Sequence, residues 1–171
     1  AAPAEEHRAH LLVCEVLARA DVALGNLSAA HEQIGRGKRI LLEYGASSNR
    51  AFALATTAAQ VAAAEGNTSE ALNELDNARK ALNVTSIEAT REPELTLAAA
   101  RVYDLLGQFE QGRSISAPLL ATLLAEPTGT PTMRTRGELA FLAARARMDT
   151  DPDTAKQLLV VAAESLRKTQ V

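Results

Sequence analysis

The sequence predicts an all-α fold, a solenoid of about four helix-turn-helix repeats and eight helices. Three observations carry this. A short turn recurs as Leu24-Gly25-Asn26-Leu27-Ser28-Ala29-Ala30, Glu65-Gly66-Asn67-Thr68-Ser69-Glu70-Ala71 and Leu106-Gly107-Gln108-Phe109-Glu110-Gln111-Gly112, with its glycines 41 residues apart. A fixed period of this size marks stacked supersecondary units that share one core. Between the turns, apolar residues recur at i, i+3, i+4 and i+7, the spacing of one helical face. Alanine dominates a chain that is 47 % hydrophobic but only 3 % aromatic. Alanine is the strongest helix former, and its small side chain lets helices approach closely.

The first helix starts near Glu5, with Leu11, Cys14, Leu17, Ala18 and Asp21 on one face, and stops at Gly25. Ser28 is read as the cap of the second helix, which carries Ala30, Ile34, Gly37 and Leu41 and runs to about Tyr44. Gly35 and Gly37 weaken it by about 1 kcal/mol each relative to Ala, so both are read as sites of close helix approach. The third helix, about Asn49 to Glu65, is Ala, Thr and Val on every face, as expected of a helix held between neighbours. Thr68 or Ser69 is read as capping the fourth, with Ala71, Leu72, Leu75, Ala78 and Leu82 inward.

The residues from Asn83 to Thr90 form a polar connector. The fifth helix has Pro93 in its first turn, where a missing N–H is harmless, and Leu95, Ala98, Ala99, Val102, Tyr103 and Leu106 on its stripe. The sixth holds Ile115, Leu119, Leu120 and Leu123. The run Glu126-Pro127-Thr128-Gly129-Thr130-Pro131-Thr132 is a loop dense in helix breakers. The seventh spans about Met133 to Met148. Asp151-Pro152-Asp153 then supplies a cap, a proline at the first helical position and an acid in the first turn. The eighth is expected to bury Ala155, Leu158, Leu159, Ala162 and Leu166. Thr150 replaces the turn glycine there, so the last copy is degenerate. The four units run about 5–45, 48–86, 90–126 and 132–168, within a single repeat domain covering 1–171.

The Gly-amide-bulky-x-x-small turn and the alanine seam resemble the tetratricopeptide-type repeat. Small residues open the second helices at Ala30, Ala71, Gly112 and Ala155, followed four on by Ile34, Leu75, Ser116 and Leu159. The close-packing position of the first helices falls at Ala18, Ala59, Ala100 and Ala143. The aromatic near the start of the first helix is missing, with Cys14, Ala55 and Thr96 in its place, and the period exceeds the usual 34. Long repeats of this kind are similar to those of bacterial multidomain signalling ATPases and LuxR-type transcription regulators. The resemblance implies a right-handed solenoid whose first helices line a concave groove.

On that register, Arg19, Gln60 and Arg101 share one phase, with Arg147 in the matching region of the fourth unit. Glu15 and Thr56 stand four residues earlier, and Asp104 three later. Such donors suit peptide carboxylates and backbone carbonyls. The plain alternative is a solvated polar face.

No phosphate loop, nucleophile elbow or carboxylate pair with a base occurs, so no enzyme and no cofactor is expected. His7, His10 and Cys14 have a spacing that can hold zinc, but Cys14 lies on a core position and the histidines at a terminus, so no metal is expected. A net charge of −3 offers nucleic acid no basic field. One cysteine, no signal-like start and no long apolar run point to a cytoplasmic protein without a membrane partner. The chain starts without Met and reads as a piece of a longer protein. The leading function is a non-enzymatic protein- or peptide-binding scaffold. The alternative is an effector-sensing or autoregulatory segment of a multidomain ATPase or transcription regulator. Apolar residues at both ends, Leu12, Val13 and Val16 in the first helix and Leu158 to Ala163 in the last, predict self-association through a repeat end.

Overall fold

The computed structural model describes residues 2–45, 47–82, 93–125 and 130–169. Among them the protein is all helix, with eight helices and no strand: α1 (Ala2–Ala23), α2 (Leu27–Tyr44), α3 (Ser48–Ala64), α4 (Thr68–Ala81), α5 (Pro93–Leu105), α6 (Phe109–Ala125), α7 (Thr130–Arg145) and α8 (Pro152–Arg167). No helix among the described residues is long and apolar enough to cross a membrane. The chain divides into two compact lobes, Ala1–Ala89 and Thr90–Val171. The connector expected over Asn83–Thr90 and most of the breaker-rich loop lie outside the described residues.

The recurring turn is one hydrogen-bonded structure built three times. Gly25, Gly66 and Gly107 have φ of 76°, 77° and 69°, the left-handed region that only glycine enters cheaply. In each copy the amide after the glycine reaches back five residues. Asn26 N donates to Asp21 O, Asn67 N to Ala62 O and Gln108 N to Tyr103 O, all at 2.8 Å. This is the Schellman closure of a helix C-terminus. The fourth turn closes differently: Asp151 N donates to Arg147 O at 2.8 Å, four residues back, with no left-handed glycine.

The caps differ from the sequence reading. Asn67, not Thr68 or Ser69, caps α4, its side-chain oxygen accepting from Glu70 N at 3.2 Å. Asn26, not Ser28, occupies the cap position of α2. Asp151 caps α8 as expected, accepting from Thr154 N at 3.2 Å. Pro118 sits inside α6 without ending it. The carbonyl it leaves without a helical donor is that of Ser114, four residues back, and Ser114 is exposed, so water can satisfy it.

Within the N-terminal lobe, α1 packs on α2 and α3, and α3 on α2 and α4. The core joins Leu11, Ala18, Ile34, Leu54, Ala58 and Val61. The backbones of α2 and α4 stay apart, and the Lys38 ammonium spans them to Glu74 at 2.6 Å. The C-terminal lobe repeats the scheme: α5 packs on α6 and α7, and α7 on α6 and α8, around Leu97, Leu120, Leu123, Leu139 and Ala143. In both lobes, then, the backbones of the first helices of successive hairpins come together and those of the second helices do not.

The seam is built from small residues. Ala18, Ala59, Ala100 and Ala143 are all at most 3 % exposed, as are Ala30, Ala71 and Ala155. Gly37 is a true close approach, since a methyl there would stand 2.7 Å from Leu54 Cδ1. Gly35 is not: its methyl would meet only Arg39 Nη1, at 3.8 Å. Three stripe assignments also change. Leu72 and Leu17 are exposed, and Leu159, expected in the core, is exposed on the outer face of α8, where Ala155, Ala162 and Ser165 point inward instead.

Candidate functional site

Each lobe carries a polar centre on the side where its first helices meet. In the N-terminal lobe it is Glu15 of α1, buried at 5 % exposure. A buried carboxylate needs compensating charge. Glu15 has two guanidiniums, Arg19 bonded to Oε1 one turn on in α1 and Arg50 Nη1 3.7 Å from Oε2 at the start of α3. Arg19 also reaches across to α3, where its Nε donates to Thr57 Oγ1 at 3.2 Å. Thr57 in turn donates to Ala53 O at 2.8 Å. The guanidinium of Arg19 is thus held in place while half its side chain stays in solvent.

In the C-terminal lobe the centre is Glu138 of α7. Arg101 of α5 bonds its Oε2, and Arg134 Nε donates to Oε1 at 2.9 Å. Glu138 does not share the repeat position of Glu15, which stands three residues before Ala18 while Glu138 stands five before Ala143, but the composition recurs: one carboxylate between two arginines. Each centre therefore keeps an excess positive charge. Beside it, Arg145 Nη1 donates to Asp104 Oδ2 at 2.8 Å, joining α7 to α5. The Arg145 guanidinium lies 6.0 Å from the Phe109 ring centroid, within cation–π reach. Burial holds the Asp104 carboxyl above its usual range, and the Arg145 charge pulls it back only in part.

The predicted ladder is accordingly placed as follows. Arg19 and Arg101 occupy equivalent posts between first helices. Gln60 is half-buried, with its amide nitrogen donating to Thr56 O at 3.2 Å. Arg147 donates to Ala143 O at 3.1 Å at the end of its own helix. Glu15 and Thr56 are buried, and the Thr56 hydroxyl is spent on Ala53 O, so neither side chain faces solvent. Asp104 is largely buried against Arg145. Sequence reasoning missed Arg50, Thr57, Glu138 and Arg145. No repeat position singles them out, since Glu138 and Arg145 do not fall at the phases of Glu15 and Asp104 when counted from Ala143.

Elsewhere, His7 does not join His10 and Cys14. Its ring stacks on Tyr44 with centroids 3.6 Å apart. No group of three or more metal-ligating side chains is brought together among the described residues. Comparison with known proteins found no matching family model, no matching curated protein and no matching solved structure.

Proposed function

We propose that this chain is a non-enzymatic binding scaffold whose ligand is an acidic peptide or protein segment. The binding surface is the first-helix face of each lobe, α1/α3 and α5/α7. The observation that carries this is the repeated clasp, Arg19–Glu15–Arg50 and Arg101–Glu138–Arg134. Each clasp fixes guanidiniums whose remaining N–H groups face solvent, and preorganised donors lose less entropy on binding. A net positive charge at each centre selects carboxylates. We read the helices as tetratricopeptide-type repeats in a right-handed solenoid. The reading is supported by the three identical turns, the alanine seam at one phase and the first-helix packing common to both lobes.

In this reading Arg19, Arg101 and Gln60 contact the ligand, with Arg147 and Asp104 at the end of the C-terminal face. Glu15 and Glu138 position the arginines. The test is selection of binders from a random peptide display library, followed by titration of the recovered peptides against the intact chain. Acidic sequences are expected. Arg19→Ala with Arg101→Ala should weaken them at least tenfold, since each charge-assisted hydrogen bond is worth about 1.5–3 kcal/mol. Lys80→Ala, on exposed α4, should leave them unchanged. Undiminished affinity in the double variant refutes the proposal.

A further inference from the structure

The N-terminal lobe has a second surface that the peptide-binding reading does not use. Between α1 and α2 lies an open cleft of about 420 Å³. Val13, Leu17 and Ile40 form its apolar floor, and Arg36, Arg39 and Glu43 line its α2 side. Val13 is 52 % exposed and Leu17 44 %, high values for apolar residues within a helix. Arg39 has no ion-pair partner among the described residues. In the C-terminal lobe α8 presents an exposed stripe at helical spacing: Lys156, Leu159, Val160, Ala163, Glu164 and Arg167. None of its three charged residues has an ion-pair partner among the described residues.

The two surfaces complement each other in charge as well as in polarity. Along α2 the order is Glu32, Arg36, Arg39, Glu43. Along α8 it is Lys156, Glu164, Arg167. The outer charges are eleven residues apart on both helices, about 16 Å at the α-helical rise, and they are of opposite sign. Laid along α2 in either direction, α8 brings Lys156 and Arg167 to the two glutamates and Glu164 next to Arg39 or Arg36. Leu159, Val160 and Ala163 then fall over the apolar floor.

We infer that α8 of a second copy of this chain occupies the α1/α2 cleft, joining chains head to tail. The cleft and the stripe are different surfaces, so the contact is heterologous. Every chain added leaves one cleft and one stripe open, and growth does not stop at a dimer.

The experiment uses the intact chain in sedimentation equilibrium over a wide concentration range, with Val13→Glu and Val160→Glu as single variants. Both side chains are more than half exposed, so folding is retained, and circular dichroism checks it. Wild type is expected to rise past two chain masses with concentration. Each variant alone is expected to remain monomeric. An equimolar mixture is expected to form a species that ends at two chains, because one intact cleft meets one intact stripe. Monomeric wild type, association that persists in both variants, or a monomeric mixture each overturns the inference.

Discussion

Two glycines two residues apart in α2 should respond to the same substitution with opposite sign. Replacing an interior helical glycine by alanine gains about 0.8–1 kcal/mol of helix propensity. At Gly35 nothing offsets this, because the new methyl meets only Arg39 Nη1 at an ordinary 3.8 Å. At Gly37 the methyl would lie 2.7 Å from Leu54 Cδ1 and 3.3 Å from Cδ2. Leu54 is itself buried at 3 % exposure and has little room to turn. Overpacking of this kind costs about 1–3 kcal/mol. Gly35→Ala should therefore stabilise by up to about 1 kcal/mol, and Gly37→Ala should be between neutral and about 2 kcal/mol destabilising. Urea unfolding followed by circular dichroism reads both. The cause is checked by repeating Gly37→Ala in a Leu54→Ala background, where the space left by the leucine accepts the methyl and the penalty should vanish. Equal stabilisation by the two alanines, or no coupling to Leu54, would refute a close α2–α3 approach at Gly37.

Further outcomes follow from the turns and the buried acid. Asn67→Ala should destabilise by about 1 kcal/mol, while Ser69→Ala should change stability little, and thermal unfolding separates them. Gly66→Ala forces a side chain into a left-handed backbone and should cost about 1–2 kcal/mol, measured in the same way. Asp104 has its carboxyl raised by burial, so the native state holds the proton more tightly than the unfolded chain does. Its contribution to stability is therefore full below the ordinary carboxylate pKa and is lost as pH rises through the raised one. Asp104→Asn should gain on wild type as pH increases through that window in a pH series of urea melts. A gap that instead widens as pH falls would mean that the Arg145 pairing outweighs burial.

Much of the fold was legible in the sequence because the turn is local chemistry. A left-handed glycine and a back-bonded amide need only a few consecutive residues, so a 41-residue spacing of Gly25, Gly66 and Gly107 carries the helix register with it. The buried alanines followed from the same phase. Caps were harder to read. Asn, Ser and Thr all accept well from a helix N-terminus, and the first turn offers Asn26 and Ser28 within three residues, the second Asn67, Thr68 and Ser69. Leu159 was misplaced although Ala155 and Ala162 on the same stripe are buried as expected, so the repeat phase alone does not fix which face of α8 turns inward at every position. The arginine partners were invisible because they are tertiary. Thr57 is 38 residues from Arg19, and Glu138 is 37 from Arg101. Nothing in local propensity singles out those partners, so Arg19 and Arg101, which read as free donors on an open ladder, prove to be clasped by carboxylates.

The central claim is that ligand binds where the first helices meet. Backbone amide chemical-shift mapping of a library-selected acidic peptide on the intact chain tests it most directly. Perturbations are expected to gather on α1 and α3 around Arg19, Arg50 and Gln60, and on α5 and α7 around Arg101, Arg134 and Arg145. Perturbations confined to α2 and α4, or to α6 and α8, would contradict it.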